Sequence, residues 1–283
     1  MCKPLLLLKI LPLLALLLFS GCGAGERPED IISEEERTHP TIEESRFNAQ
    51  NVFNSLPDRK LVMRLIEENK IEYNADLLND PNNVKKYTLE FSKAINLGIY
   101  GSDLSIASSF DQTQESMVFL KCVNVLAQNL GVSSAFDTRL FERIEANGNN
   151  KDSIIEIVTE AYKKVDEILK YNNRPATSAI ILSGCWIEGL YVSCKMGQAV
   201  NQTDVIKTII EQKESLHNLV VMLEAVTLEP DAQFVLTDLK KLQEAFAVAE
   251  TATKFNKEAI ESITKIISDL RNRATSLDAA LVS

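Results

Sequence analysis

The residues best suited to chemistry fall in two short stretches. Tyr100 and Asp103 lie in 94–107, and Trp186, Glu188 and Tyr191 lie in 179–194. The second stretch is apolar nearly all round at helical spacing, the pattern of a helix buried on every side. A carboxylate in such a helix must be paired, protonated or set beside a cavity, because burial disfavours the charged form. Asp103 and Glu188 facing one central cleft could work as an acid–base pair. With the three aromatic residues they could instead line a ligand site, rimmed by Asp111-Gln112-Thr113-Gln114. The competing reading is structural: Glu188 bonds a buried backbone group or a tyrosine hydroxyl, and Asp111-Gln112-Thr113 is a helix cap.

Other motifs fall short of a site. Glu214 and His217 form a Glu-x-x-His pair, but di-iron bundles need two such pairs and two further glutamates. The only other histidine is His39, so His217 is expected on a helix surface. Ser262 and Lys265 match Ser-x-x-Lys without the partner motifs that give it meaning. Gly-x-Ser-x-Gly, phosphate-loop and zinc spacings are missing, and so is a tetratricopeptide period. No cofactor or metal is expected.

Cys22 carries a different chemistry. Lys3, the apolar run Ile10 to Phe19 and the small residues Ser20 and Gly21 have the order of a secretory signal. The tetrapeptide Phe19-Ser20-Gly21-Cys22 resembles the lipobox of bacterial lipoproteins, with Phe where Leu is usual. That resemblance implies cleavage before Cys22 by signal peptidase II and acylation of Cys22. A transmembrane reading fails, because Pro4 to Phe19 is interrupted by Lys9 and Pro12 and falls short of about 20 residues. One acyl chain binds a membrane marginally; the two or three of a lipoprotein anchor it. Cys122, Cys185 and Cys194 remain. The last two share an expected helix and would stand about 13.5 Å apart along it, beyond the roughly 7 Å a disulfide spans. All three are expected as small buried hydrophobes.

The chain has 283 residues and a formal charge of −10, and removing residues 1–21, with Lys3 and Lys9, makes it more acidic. That balance argues against nucleic acid, whose binders displace counterions with basic surfaces. It also argues against the body lying on an anionic leaflet.

These residues need elements to position them. Residues 22–55 are acidic and poor in apolar side chains, so they are expected to be a flexible tether. From Pro57 onward helix signals dominate. Helices are expected from Pro57 to about Lys70, from Asp80-Pro81 to Phe110, and from Gln112-Thr113 to Gly131. Ser134 and Asp137 approximate a capping box for the next, which ends near Asn147-Gly148. Asn150 or Asp152 opens a segment to Tyr171, and Pro175 one that stops at Gly197 after Met196. Further starts lie at Thr203-Asp204, Pro230-Asp231 and Asn256, the last followed by the stripe Ile260, Ile263, Ile267 and Leu270. With no sustained period of two, residues 56–283 are expected to form one all-α bundle of eight or nine helices.

Small residues recur in the two apolar helices: Ala94, Gly98, Gly101, Ser105 and Ser108 in one, Cys185, Gly189, Ser193 and Gly197 in the other. A helical glycine costs about 1 kcal/mol relative to alanine, so several in one element point to close approach of another backbone. A shift of 86 positions aligns Gly98 with Gly184, Tyr100 with Trp186, Leu104 with Leu190 and Ile106 with Val192, a hint of duplicated halves.

The run Ala94 to Ala107, with Gln112-Thr113-Gln114 after it and Gly184 to Tyr191 later, is similar to uncharacterised helical lipoproteins of Bacteroidota-type bacteria. The similarity extends from Pro57 to about Leu223. It implies a helical fold and an envelope location, and Gly23 after the acylated cysteine fits outer-membrane sorting. It implies no activity. The expected role is therefore a non-enzymatic module, held to the membrane through Cys22, that binds a protein partner or small ligand. An enzyme using Asp103 and Glu188 is the alternative.

Overall fold

The structure is a computed structural model that describes residues 71–147, 150–200, 209–251 and 257–276. The signal, Cys22, the 22–55 tether, the Pro57–Lys70 helix and the helix start at Thr203-Asp204 lie outside these residues. Eight α-helices run through them: α1 (Glu90–Ser109), α2 (Thr113–Leu130), α3 (Thr138–Ala146), α4 (Lys151–Tyr171), α5 (Pro175–Val200), α6 (Lys213–Glu224), α7 (Gln233–Thr251) and α8 (Lys257–Ala274). Two short 3-10 turns, Ala75–Leu77 and Pro81–Lys86, precede α1 and a third, Ser133–Ala135, joins α2 to α3, and no strand occurs among the described residues. The protein is an all-α bundle.

Helices α1 and α5 form its centre. Neither has a polar face: every residue from Ala179 to Leu190 is buried, as are nearly all of α1. They run parallel, since Glu90 at the start of α1 bonds Arg174 and Thr177 at the start of α5, and Gly98 meets Ile181 and Cys185 midway. The backbones touch there. A Cβ on Gly98 would overlap the carbonyl oxygen of Ile181 and lie 2.7 Å from Cys185 N. A Cβ on Gly184 would overlap the carbonyl oxygen of Ile95 and lie 3.2 Å from Ile99 N. The two sets of contacts are related by the 86-position shift, so the crossing has a local two-fold.

The other helices cover this pair. Helix α2 returns along α1, and α4 wedges against both, where the Tyr162 hydroxyl donates to the Leu97 carbonyl at 2.5 Å. Helix α8 runs antiparallel to α5 and packs its Ile263, Ile267 and Leu270 stripe inward, all three fully buried. Turn chemistry sets the reversals. Asp111 (φ 59°), Gly131 (φ 75°) and Asn173 (φ 56°) are left-handed just after α1, α2 and α4. In each case the next N–H reaches back to satisfy a terminal carbonyl, as from Gln112 to Ala107 at 2.9 Å and from Arg174 to Leu169 at 2.7 Å.

Some boundaries differ from the sequence expectation. Pro81 does not open a helix running to Phe110. It opens a 3-10 turn, Pro81–Lys86, whose cap Asp80 accepts from Asn82 N at 2.9 Å. The chain then turns extended at Tyr87, whose hydroxyl donates to Thr275 O at 3.3 Å, before α1 begins at Glu90. Gly197 does not stop α5, which continues to Val200; the glycine is buried within the helix. Asp137 alone caps α3, accepting from Leu140 N at 3.2 Å, while Ser134 sits in a separate 3-10 turn. Asn150, rather than Asp152, caps α4.

Candidate functional site

Glu188 on α5 and Asp103 on α1 meet where the central helices face α8. Arg271, one turn beyond Ile267 on the buried stripe of α8, closes the cluster. Its Nε donates to Glu188 Oε2 and its Nη2 to Glu188 Oε1, both at 3.0 Å. Nη2 also donates to the Leu77 carbonyl at 3.3 Å. The side chain of Glu188 is 0% exposed and that of Arg271 12%. Such a fork pairs geometry with charge, which suits arginine to a buried carboxylate.

Asp103 is the third member. Its Oδ2 accepts from the backbone N–H of Asn79 at 3.2 Å, while its fully buried Oδ1 has no donor in reach. Burial holds the Asp103 carboxyl well above the ordinary carboxylate range. The Glu188 charge adds to this effect, and the Arg271 charge opposes it. Two ionised carboxylates against one guanidinium would leave a buried net charge, and one proton removes it. Burial and the neighbouring Glu188 charge thus favour the protonated form of Asp103. A proton on Oδ1, the buried atom without a partner, would be donated to the Glu188 carboxylate.

A polar strap surrounds this pair. Asn79 Nδ2 donates to Asn96 Oδ1 at 3.0 Å and to the Tyr87 hydroxyl at 3.2 Å. Asn96 Nδ2 in turn donates to the Ala274 carbonyl at 2.9 Å. Side chains from α1 and the 77–87 segment thus satisfy terminal carbonyls of α8, which a helix end leaves without intrahelical partners.

Of the five residues picked from sequence, the fold brings three together. Asp103 and Glu188 share the buried cluster around Arg271, and Tyr191, one turn past Glu188 and half-buried, lies under the Arg271 guanidinium at 4.9 Å. The other two point elsewhere. The Tyr100 hydroxyl donates to the Asp80 carbonyl at 2.8 Å, and Trp186 Nε1 donates to Ser215 Oγ on α6 at 2.8 Å. Asp103, Glu188, Tyr100 and Trp186 have no exposed surface. In this conformation their contacts hold helices together and no solute reaches them. His217 is exposed on α6, Ser262 and Lys265 are exposed on α8, and Asp111 pairs with Lys151 at 2.8 Å. No group of three metal-ligating side chains occurs among the described residues.

An open cleft lies at the other end of the central pair. The starts of α1 and α5 form one wall and the 226–232 segment between α6 and α7 the other, enclosing about 640 Å³. Phe91, Ala94, Ile180 and Leu228 make an apolar floor, and Glu90, Arg174, Glu229 and Asp231 stand at the mouth. Arg174 organises this end, donating to the Leu130 carbonyl at 2.7 Å and to Glu90 Oε1 at 2.8 Å. The Arg174 hydrogen bond, with help from Thr177 and Lys93, holds the Glu90 carboxyl below the usual range against the opposing effect of burial.

No protein family, curated protein or solved structure matches this chain.

The geometry is therefore the whole basis for assigning a site. Sequence reasoning missed Arg271, Asn79 and Asn96 in the buried cluster and missed the cleft altogether. Arg271 did leave a signal: it falls four residues after Ile267, on the edge of the apolar stripe, where an arginine must find a buried acid. Asn79 and the cleft left none, because both depend on where distant segments come to rest.

Proposed function

We propose that this chain is a lipid-anchored protein of a bacterial cell envelope whose helical body binds a partner or small ligand without catalysing a reaction. The observation that carries the binding half is the cleft. Its volume of about 640 Å³ falls within the range of small-molecule sites, and it combines an apolar floor with a few charged groups at the mouth. The cleft is preferred to the acid–base alternative because Asp103 and Glu188 are fully buried and Glu188 is held by Arg271. The anchoring half rests on the lipobox-like Phe19-Ser20-Gly21-Cys22, the resemblance to envelope lipoproteins, and a net charge of −10 that disfavours adsorption to anionic lipid. The outer membrane is the proposed location.

Two experiments test the reading. Metabolic labelling with a clickable palmitate analogue should mark the wild type and not Cys22→Ser. A Cys22→Ser chain that stays wholly in membranes after alkaline washing overturns the lipid anchor. A thermal-shift screen of metabolites should find ligands that raise the melting temperature by mass action. Those shifts should disappear in Ala176→Phe, which fills the cleft. Hits unaffected by that substitution would move the site elsewhere.

A further inference from the structure

From the charge distribution at the cleft mouth we infer that the ligand is a small amphipathic cation, an apolar body carrying an ammonium-type head. This inference rests on the cleft being the binding site. Four charged side chains line it: Glu90, Glu229 and Asp231 are acidic, and Arg174 is basic. Glu90 and Arg174 neutralise each other across 2.8 Å. Glu229 and Asp231 are exposed and have no ion-pair partner among the described residues. Lys93, one turn into α1, adds a positive charge beside Glu90 without lining the cleft, so the mouth keeps a net negative charge above an apolar floor that includes Phe91 and Ile180.

The competing field is that of the helix starts. Both α1 and α5 begin at the cleft, and a helix N-terminus favours an anion. Here the chain supplies that anion itself: the Glu90 carboxylate, on the first residue of α1, accepts from Thr177 Oγ1 at 2.9 Å within the first turn of α5. With this place filled internally, Glu229 and Asp231 decide the sign of the head that fits. The apolar floor takes the body, and the acidic mouth takes the cation in partly wet surroundings.

The test uses three probes with one body and different heads: phenylbutylamine, phenylbutanol and phenylbutyrate near neutral pH. They are titrated against the full chain in zwitterionic lipid nanodiscs, with empty nanodiscs as the control and ligand-observed NMR as the readout. The amine should bind about three- to tenfold more tightly than the alcohol, the range two partly exposed ion pairs give, and the acid most weakly. The amine's advantage should shrink with added salt and vanish in Glu229→Gln/Asp231→Asn. That variant alters only exposed side chains, and its folding is checked by the emission of Trp186. Equal binding of all three probes, lost in Ala176→Phe, would overturn the cationic class and leave the cleft standing as a site. Tightest binding of the acid would overturn the class in favour of the helix starts. Absence of binding by any probe, or binding that survives Ala176→Phe, would overturn both the class and the cleft.

Discussion

Arg271 grips Glu188 by both carboxylate oxygens, each at 3.0 Å, across 83 residues of sequence. This one pair joins the last helix to the central one. It takes Glu188 out of solvent altogether and leaves Arg271 with only a small exposed edge.

Removing one partner strands the other. Glu188→Gln should destabilise the protein by about 3 kcal/mol, because the buried guanidinium loses its bidentate partner and keeps as acidic neighbour only Asp103, which lies beyond ion-pair distance. Glu188→Leu/Arg271→Met, which removes both charges at similar volume, should cost less than either single change. Urea unfolding followed at Trp186, the only tryptophan and fully buried, measures all of these. A Glu188→Gln variant as stable as the wild type would mean that Glu188 is not held as an ion pair.

Asp103 contributes to the pH dependence of stability. Burial, followed by the Glu188 charge, raises its carboxyl above the unfolded value, so the folded state binds the proton more tightly. Its contribution is complete below the unfolded carboxylate range and is lost as pH rises towards the folded pKa. Asp103→Asn keeps an oxygen for Asn79 N–H and supplies an N–H for Glu188 without titrating. It should flatten the decline in stability between mildly acidic and alkaline pH and be the more stable protein at the alkaline end. Parallel stability–pH curves for the two proteins would show that Asp103 is ionised in the fold.

Gly98 and Gly184 allow α1 and α5 to touch. Alanine at either would overlap a backbone carbonyl that cannot swing aside, so the helices must part. Each substitution should cost about 3 kcal/mol, the upper end of overpacking. Gln128→Ala, on the exposed face of α2, should change little. Equal melting temperatures for the three variants would remove the close-contact account.

The cysteines should be silent. Cys122, Cys185 and Cys194 are unpaired and buried, and burial pushes the Cys185 and Cys194 thiols up to about 12 and Cys122 to about 11. Thiolate is the reactive form. Iodoacetamide, read by peptide mass mapping, should label these positions in urea and spare them in the native protein.

Much of this architecture was legible residue by residue. The absence of strands among the described residues, the all-round apolarity of α5, the stripe of α8, the stop at Gly131 and the tight approach at Gly98 all follow from side-chain type and a period of 3.6, which are local properties. The glycine spacing even held the register of the central crossing, since contacts at 95, 98 and 99 repeat at 181, 184 and 185. Glu188 announced itself as a buried acid that had to be paired, protonated or set beside a cavity, with the choice left open.

The partner's identity was not local. Arg271, Asn79 and Asp103 reach Glu188 or each other only when α8 and the 77–79 segment settle on the central helices. No spacing rule spans those distances. The same holds for the cleft, whose walls come from the starts of two helices and a turn far downstream. Side-chain type and helical spacing decided that the core would be helical and apolar. Only packing decided that the Asp103 carboxyl is raised above its ordinary range, because that depends on which charges share its low-dielectric surroundings, and the fold alone brings them together.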